Sequence, residues 1–159
     1  MKIFQVDAFT ERPFKGNPAA VCVLDRQVED KWMQDVAKEM NLSETAFLLK
    51  TDQGYNLRWF TPSSEVDLCG HATLAAAHIL WERGYLKKEE EAKFYTKSGL
   101  LVAKTSGGWI QLDFPATPEK EATPPAELIS ALGVKPIYVG KNIFDYLIEV
   151  ESEDIVKNI

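Results

Sequence analysis

The run Leu74-Ala75-Ala76-Ala77-His78-Ile79-Leu80, entered through Asp67-Leu68-Cys69-Gly70-His71-Ala72-Thr73, constrains this chain more than any other segment. A helix that is apolar on every side needs cover on every side, so its body is expected to be buried. Its start has a different property. The first N–H groups of a helix lack partners within it, and the positive end of the helix dipole lies in the same place. The Gly70-His71 turn is therefore suited to holding a carboxylate or a phosphate. Cys69 and His71, both able to exchange protons, flank that spot.

With 159 residues, 45% of them hydrophobic, the chain can bury a core, and its length fits one domain or one domain with part of another. The net charge of -6 and the absence of a basic cluster argue against nucleic acid or an anionic membrane as a partner. The charged opening Met1-Lys2-Ile3-Phe4-Gln5-Val6-Asp7 does not read as a signal peptide, and no apolar run approaches the ~20 residues of a membrane span. A cytoplasmic location is expected. Two cysteines, Cys22 and Cys69, are too few for a disulfide scaffold.

Alternation over residues 2–9 predicts a strand with Phe4, Val6 and Ala8 on one face. Gly16-Asn17-Pro18 predicts a turn, and residues 19–24 a buried strand. Asp30 is placed to cap a helix over 31–40, where Trp32, Val36 and Met40 recur every four residues beside Met33 and Ala37, and Asn41 is its stop. Residues 44–49 and 55–60 form a hairpin through Asp52-Gln53-Gly54. Three further strands are expected at 93–96, 99–105 and 109–114, with Gly107-Gly108 as a hairpin turn. Residues 115–125, holding four of the eight prolines, read as a linker. A helix over 126–132, strands at 137–139 and 144–149, and a helix start at Ser152 follow. That order parallels residues 2–40. The expected organisation is thus an N-terminal domain at 1–114, a linker at 115–125, and the beginning of a second, similar domain at 126–159 within a longer protein.

Among the candidate site residues, His71 and His78 stand seven apart on similar faces of one helix, and Cys69 is a third ligand type nearby. No ligand-spaced motif joins them, so no metal is expected. His78 reads as a packed core or boundary side chain. Cys69 is either a thiol activated by the helix start or a small buried apolar group, and the second reading is the simpler. Glu44 taken alone is an ordinary surface glutamate, although a carboxylate partly removed from water is suited to proton transfer. Glu65 and Asp67 flank the turn and are placed to cap the helix. Neither a phosphate loop nor a G-x-G-x-x-G pattern is present, so no nucleotide cofactor is expected.

Several motifs in series carry more than any one of them. Asp7-Ala8-Phe9, Gly16-Asn17-Pro18-Ala19-Ala20-Val21, Asn41-Leu42-Ser43-Glu44-Thr45-Ala46-Phe47, Arg58-Trp59-Phe60-Thr61-Pro62 and Glu65-Val66-Asp67-Leu68-Cys69-Gly70-His71-Ala72-Thr73 occur in order. In order and spacing the chain resembles the phenazine biosynthesis PhzF-like isomerase family over almost its whole length. The resemblance implies an α+β, diaminopimelate epimerase-like fold: two similar domains, each a curved, mostly antiparallel sheet wrapped around a central helix, with the site in the cleft between them. It also implies that Glu44 is the acid/base that moves a proton between carbon atoms of a small amino or hydroxy acid, without cofactor or metal. Gly70 and His71 would hold the substrate carboxylate or neighbouring polar atoms, and Ser43 and Asn17 would lie against the substrate.

Cys69 stands where the related diaminopimelate epimerases carry a catalytic thiol, in a Cys-Gly-Asn pattern that here reads Cys69-Gly70-His71. Those epimerases use a second cysteine from the other domain, so Cys69 is kept, with Asp67, as a secondary candidate only. The family's second half carries an Asp-Pro-Val-x-Gly-Ser-Ala motif that this chain ends before. The chain is therefore expected to hold half of a site and to be inactive unless another copy, as in a homodimer, or a further segment completes it. Two alternatives stand beside this reading: a non-catalytic module that keeps the fold and self-associates, and a racemase dependent on Cys69.

Overall fold

The computed structural model describes all 159 residues, which fall into two compact units, Met1–Phe114 and Pro115–Ile159. The first unit opens with the antiparallel pair β1 (Lys2–Ala8) and β2 (Asn17–Leu24), followed by α1 (Asp30–Met40). β3 (Glu44–Thr51) and β4 (Gly54–Phe60) form the expected hairpin, turning through Asp52-Gln53. After β5 (Glu65–Val66) come α2 (Gly70–Glu82), β6 (Ala92–Thr96), β7 (Gly99–Ser106) and β8 (Trp109–Asp113).

The strands lie in the order β1-β2-β3-β4-β6-β7-β8, with β5 paired to β4. Only β2 with β3 and β4 with β6 are parallel, and each of those pairs is joined by a helix, because a parallel neighbour cannot be reached by a tight turn. α1 and α2 cover opposite faces of the sheet. Along β2, Ala19, Val21 and Val23 join the cluster around α2, while Cys22 and Leu24 join the one beneath α1 with Phe47 and Phe60. Covered on both faces, β2 is a continuous apolar run from Ala19 onward.

α1 is amphipathic. Met33 and Ala37 are buried, Trp32 stands edge-on to Phe47 at 6.2 Å, and Asn41 ends the helix at φ 51° with its N–H on the carbonyl of Ala37. Asp30 is not the cap. Glu29 holds that position without a side-chain bond, and the carboxylate of Asp30 accepts from Arg58 Nη1 at 2.6 Å instead.

α2 buries nine residues, among them Ala72, Ala75, Ala76, Ala77, Ile79 and Leu80. It packs against β1, β2, β3 and β8. Since β1 and β8 are the two ends of the strand order, one helix can touch both only if the sheet curls around it. The small alanines allow that close approach. Phe4, Val6, Ile110 and Leu112 close the cluster from the two sheet ends.

The turn predicted at Gly16-Asn17-Pro18 ends at Gly16, and β2 begins at Asn17 opposite Ala8. Gly16 is required there, because a Cβ would lie 2.4 Å from the carbonyl oxygen of Ala8 and 2.6 Å from Thr10 Cγ2.

The second unit contains β9 (Lys120–Glu121), α3 (Ala126–Leu132), β10 (Tyr138–Lys141), β11 (Tyr146–Glu149) and α4 (Glu153–Lys157). Its sheet runs β11-β10-β9, antiparallel throughout. The proline-rich stretch read as a linker contributes β9, so residues 120 and 121 are part of this sheet. Gly133 ends α3 in the left-handed conformation, and Ser152 Oγ caps α4 by accepting from the Ile155 N–H at 3.4 Å.

Candidate active site

Parallel pairing of β2 with β3 and the crossover into α2 bring three segments to one end of the sheet. Glu44, the first residue of β3, pairs with Ala19 and shares the α2 face with Ala46 and Leu48. There it meets the start of α2. Glu44 Oε2 lies 3.4 Å from His71 Nε2, and Ser43 Oγ lies 3.3 Å from the same nitrogen. Cys69 Sγ lies 3.5 Å from the other ring nitrogen, Nδ1. A carboxylate and a thiol thus both lie against one imidazole and close to each other.

His71 is buried, and Glu44 keeps 19% of its side chain exposed, so the carboxylate has one side in the protein and one open. Gly70 is exposed, and a Cβ there would meet nothing within 4 Å. The space over the first turn of α2 is open. Thr73 fastens that turn, its hydroxyl donating to the Cys69 carbonyl at 2.6 Å.

Cys69 is buried, and its thiol is pushed up to about 12. Removal from water is the main cause, and the charge of Glu44 adds to it. The backbone N–H groups of Ala72 and His71, directed at the sulfur, pull the other way and lose. A thiol in that state is protonated. Glu44, Cys69 and His71 also form a group whose ligand-type atoms all lie within 4.8 Å of one another. Three donors of this kind are one short of the four that a closed tetrahedral zinc site takes.

A sequence model of the family described as phenazine biosynthesis-like protein (PhzC-PhzF) matches residues 6–135. The chain belongs to this family. An uncharacterized isomerase of Halalkalibacterium halodurans is 61% identical over 158 residues, covering 99% of this PhzF-family chain and 60% of the relative. A crystal structure of a PhzF-family phenazine biosynthesis protein from Enterococcus faecalis superposes with a TM-score of 0.85 at 43% identity, covering 97% of this chain and 58% of that one. The chain spans about three-fifths of the length of these relatives. A probable proline racemase from Agrobacterium radiobacter, solved with bound carbonate, matches with a TM-score of 0.55 at 12% identity, over 75% of this chain and 43% of that one. That likeness is one of fold alone, and it agrees with the diaminopimelate epimerase-like architecture of the PhzF-family chain.

Of the residues singled out in the sequence, Ser43, Glu44, Cys69 and His71 are within contact of one another, and Gly70 is beside them. Asn17 opens β2 two residues before Ala19, which places it at the Glu44 end of the sheet on the same face, exposed. Asp67 is exposed and does not cap α2; its carbonyl accepts from Ser98 Oγ at 2.7 Å. His78, read from the sequence as a packed core or boundary side chain, is exposed, two turns beyond buried His71 on a similar face of α2. Glu65, the other proposed cap, makes a two-pronged pair with Arg58 at 2.7 and 2.9 Å and takes Lys97 Nζ at 2.5 Å. These partners hold its carboxyl below the ordinary value, hydrogen bonding from Arg58 being the largest cause.

This ion cluster of Arg58, Glu65, Asp30 and Lys97 is what sequence reading missed in the PhzF-family chain. It ties β4, β5, α1 and the β6–β7 turn together just before the segment that enters α2. An arginine inside the apolar run Leu57-Arg58-Trp59-Phe60 was the available signal, since a charge in such a strand needs a partner. No helix is long and apolar enough to cross a membrane.

Proposed function

We propose that this chain carries the acid/base half of a cofactor-independent isomerase, in which Glu44 moves a proton between carbon atoms of a small amino or hydroxy acid. The observation that carries the reading is the position of Glu44: a half-buried carboxylate beside His71 Nε2, facing the open first turn of α2. The helix start supplies an attractive potential for the substrate carboxylate, Gly70 leaves room for it, and Ser43 and Asn17 stand at the same end of the sheet. A relative named as an isomerase supports the reaction class. The chain covers 60% of that relative, and the proposal includes a facing wall for the site supplied by a further segment or a second copy.

The test is hydrogen exchange at carbon. This chain and, in parallel, the Halalkalibacterium relative are incubated in deuterium oxide with a panel of small amino and hydroxy acids, and loss of C–H signal is followed by NMR. Exchange is expected with the longer protein, falling by about 10²- to 10⁴-fold in Glu44→Gln with the unfolding temperature little changed. Undiminished exchange in that variant would sink the assignment. Loss in Cys69→Ala alone would move the chemistry to the thiol, and no exchange in any parent protein would favour a non-catalytic module.

A further inference from the structure

The groups at the two nitrogens of His71 impose a choice on its ring. A neutral imidazole has one N–H and one lone pair, and which nitrogen carries the proton follows from the groups each one faces. Nε2 faces Glu44 Oε2 at 3.4 Å and Ser43 Oγ at 3.3 Å. An ionised carboxylate only accepts. With the proton on Nδ1, the lone pair of Nε2 would face that oxygen, with the Ser43 hydroxyl as its one donor. With the proton on Nε2, the N–H is directed to Glu44 and Ser43, and Nδ1 needs a donor.

The group within reach of Nδ1 is the Cys69 thiol, at 3.5 Å. It is buried with 8% of its surface exposed, and the carboxylate of Glu44 nearby disfavours a second negative charge. The S–H proton is therefore retained and available. Glu44 and Nδ1 compete for it; donation to Nδ1 satisfies that nitrogen and leaves the Nε2–H for the carboxylate, whereas the opposite tautomer would rely on the Ser43 hydroxyl at Nε2 and on sulfur as a weak acceptor at Nδ1.

We propose that Cys69 is a positioning residue: as a neutral S–H donor to Nδ1 it fixes His71 in the Nε2–H tautomer and so turns the imidazole N–H onto Glu44. The inference rests on reading Glu44 as the proton carrier, for which a fixed donor at Oε2 orients the oxygen. It gives the sulfur a role that needs neither a thiolate nor a second cysteine.

The tautomer is read directly, without substrate, from the imidazole nitrogen resonances of the ¹⁵N-labelled chain at mildly alkaline pH. Only two histidines are present, and the exposed His78 is assigned by comparison with His78→Gln. In the parent, Nε2 of His71 is expected to carry the proton and Nδ1 to resonate as an unprotonated nitrogen. Cys69→Ser, which keeps a donor, preserves that pattern, and Cys69→Ala replaces it with averaged signals of the two tautomers. A proton on Nδ1 in the parent overturns the inference, as does an unchanged Nε2–H pattern in Cys69→Ala. Either result leaves the role of Glu44 standing, because that role is judged by exchange at carbon in Glu44→Gln.

Discussion

α1 and α2 each carry the chain between two parallel strands and are similar in length, 11 and 13 residues, yet they differ in how much of themselves they bury. α1 buries Met33 and Ala37, leaves a charged face to water, and uses Asp30 to hold Arg58. α2 buries nine residues and is enclosed by a sheet that curls until both of its ends reach the helix. The difference teaches where reactive groups can be held. A helix surrounded by sheet is fixed along its whole body, so its open first turn can present His71 at a defined distance from Glu44. A surface helix, free on one side, braces a neighbouring loop.

Substitution should expose this contrast most strongly in the bodies of the helices. Leu80→Ala in α2 is expected to cost about 2–5 kcal/mol, whereas Glu39→Ala on the outer face of α1 should stay within about 0.5 kcal/mol, both measured by urea unfolding. Equal effects would break the contrast.

A smaller effect tests the brace. Arg58→Met leaves the carboxylate of Glu65 without its two-pronged partner and should cost about 1–3 kcal/mol. Its pH dependence has a definite sign. The carboxyl of Glu65 lies below its ordinary value of 4.5 in the folded chain, so its contribution is present above that value and is lost as pH falls through the lower folded one. Unfolding followed through the acid range should show a shallower decline in Arg58→Met than in the parent.

The smallest expected effect lies at the alkaline end. Burial, the main cause, raises the Cys69 thiol from 9.0 to about 12 and the Cys22 thiol from 9.0 to about 11. The folded chain therefore keeps protons that the unfolded chain releases, and stability declines from about pH 9 upward. Cys69→Ala should flatten part of that decline. A decline of the same steepness would show that the buried sulfur beside α2 does not set it.

Strands, the two long helices and the Asp52-Gln53 turn were legible because each leaves a local pattern of period or turn residues. Where local signals misled, a distant partner had taken the group. Asp30 and Glu65 have the right position for helix caps, but Arg58 holds both. His78 shares its helical face with His71, yet only His71 is buried. Gly16 marked a turn correctly, whereas Asn17 and Pro18 were already needed as strand opposite Ala8 and Asp7.

The sequence by itself determined that a buried apolar helix begins at an open glycine turn, and through its motifs it determined the family. Periodicity, composition and motif spacing are properties of neighbours along the chain. Only the tertiary structure decided that Glu44 and Ser43 meet one nitrogen of His71 and Cys69 the other. Ser43 and His71 stand 28 positions apart, and their meeting depends on the parallel register of β2 with β3 and on the curl of the sheet around α2. That geometry is set by packing between elements distant in sequence, which no local pattern encodes.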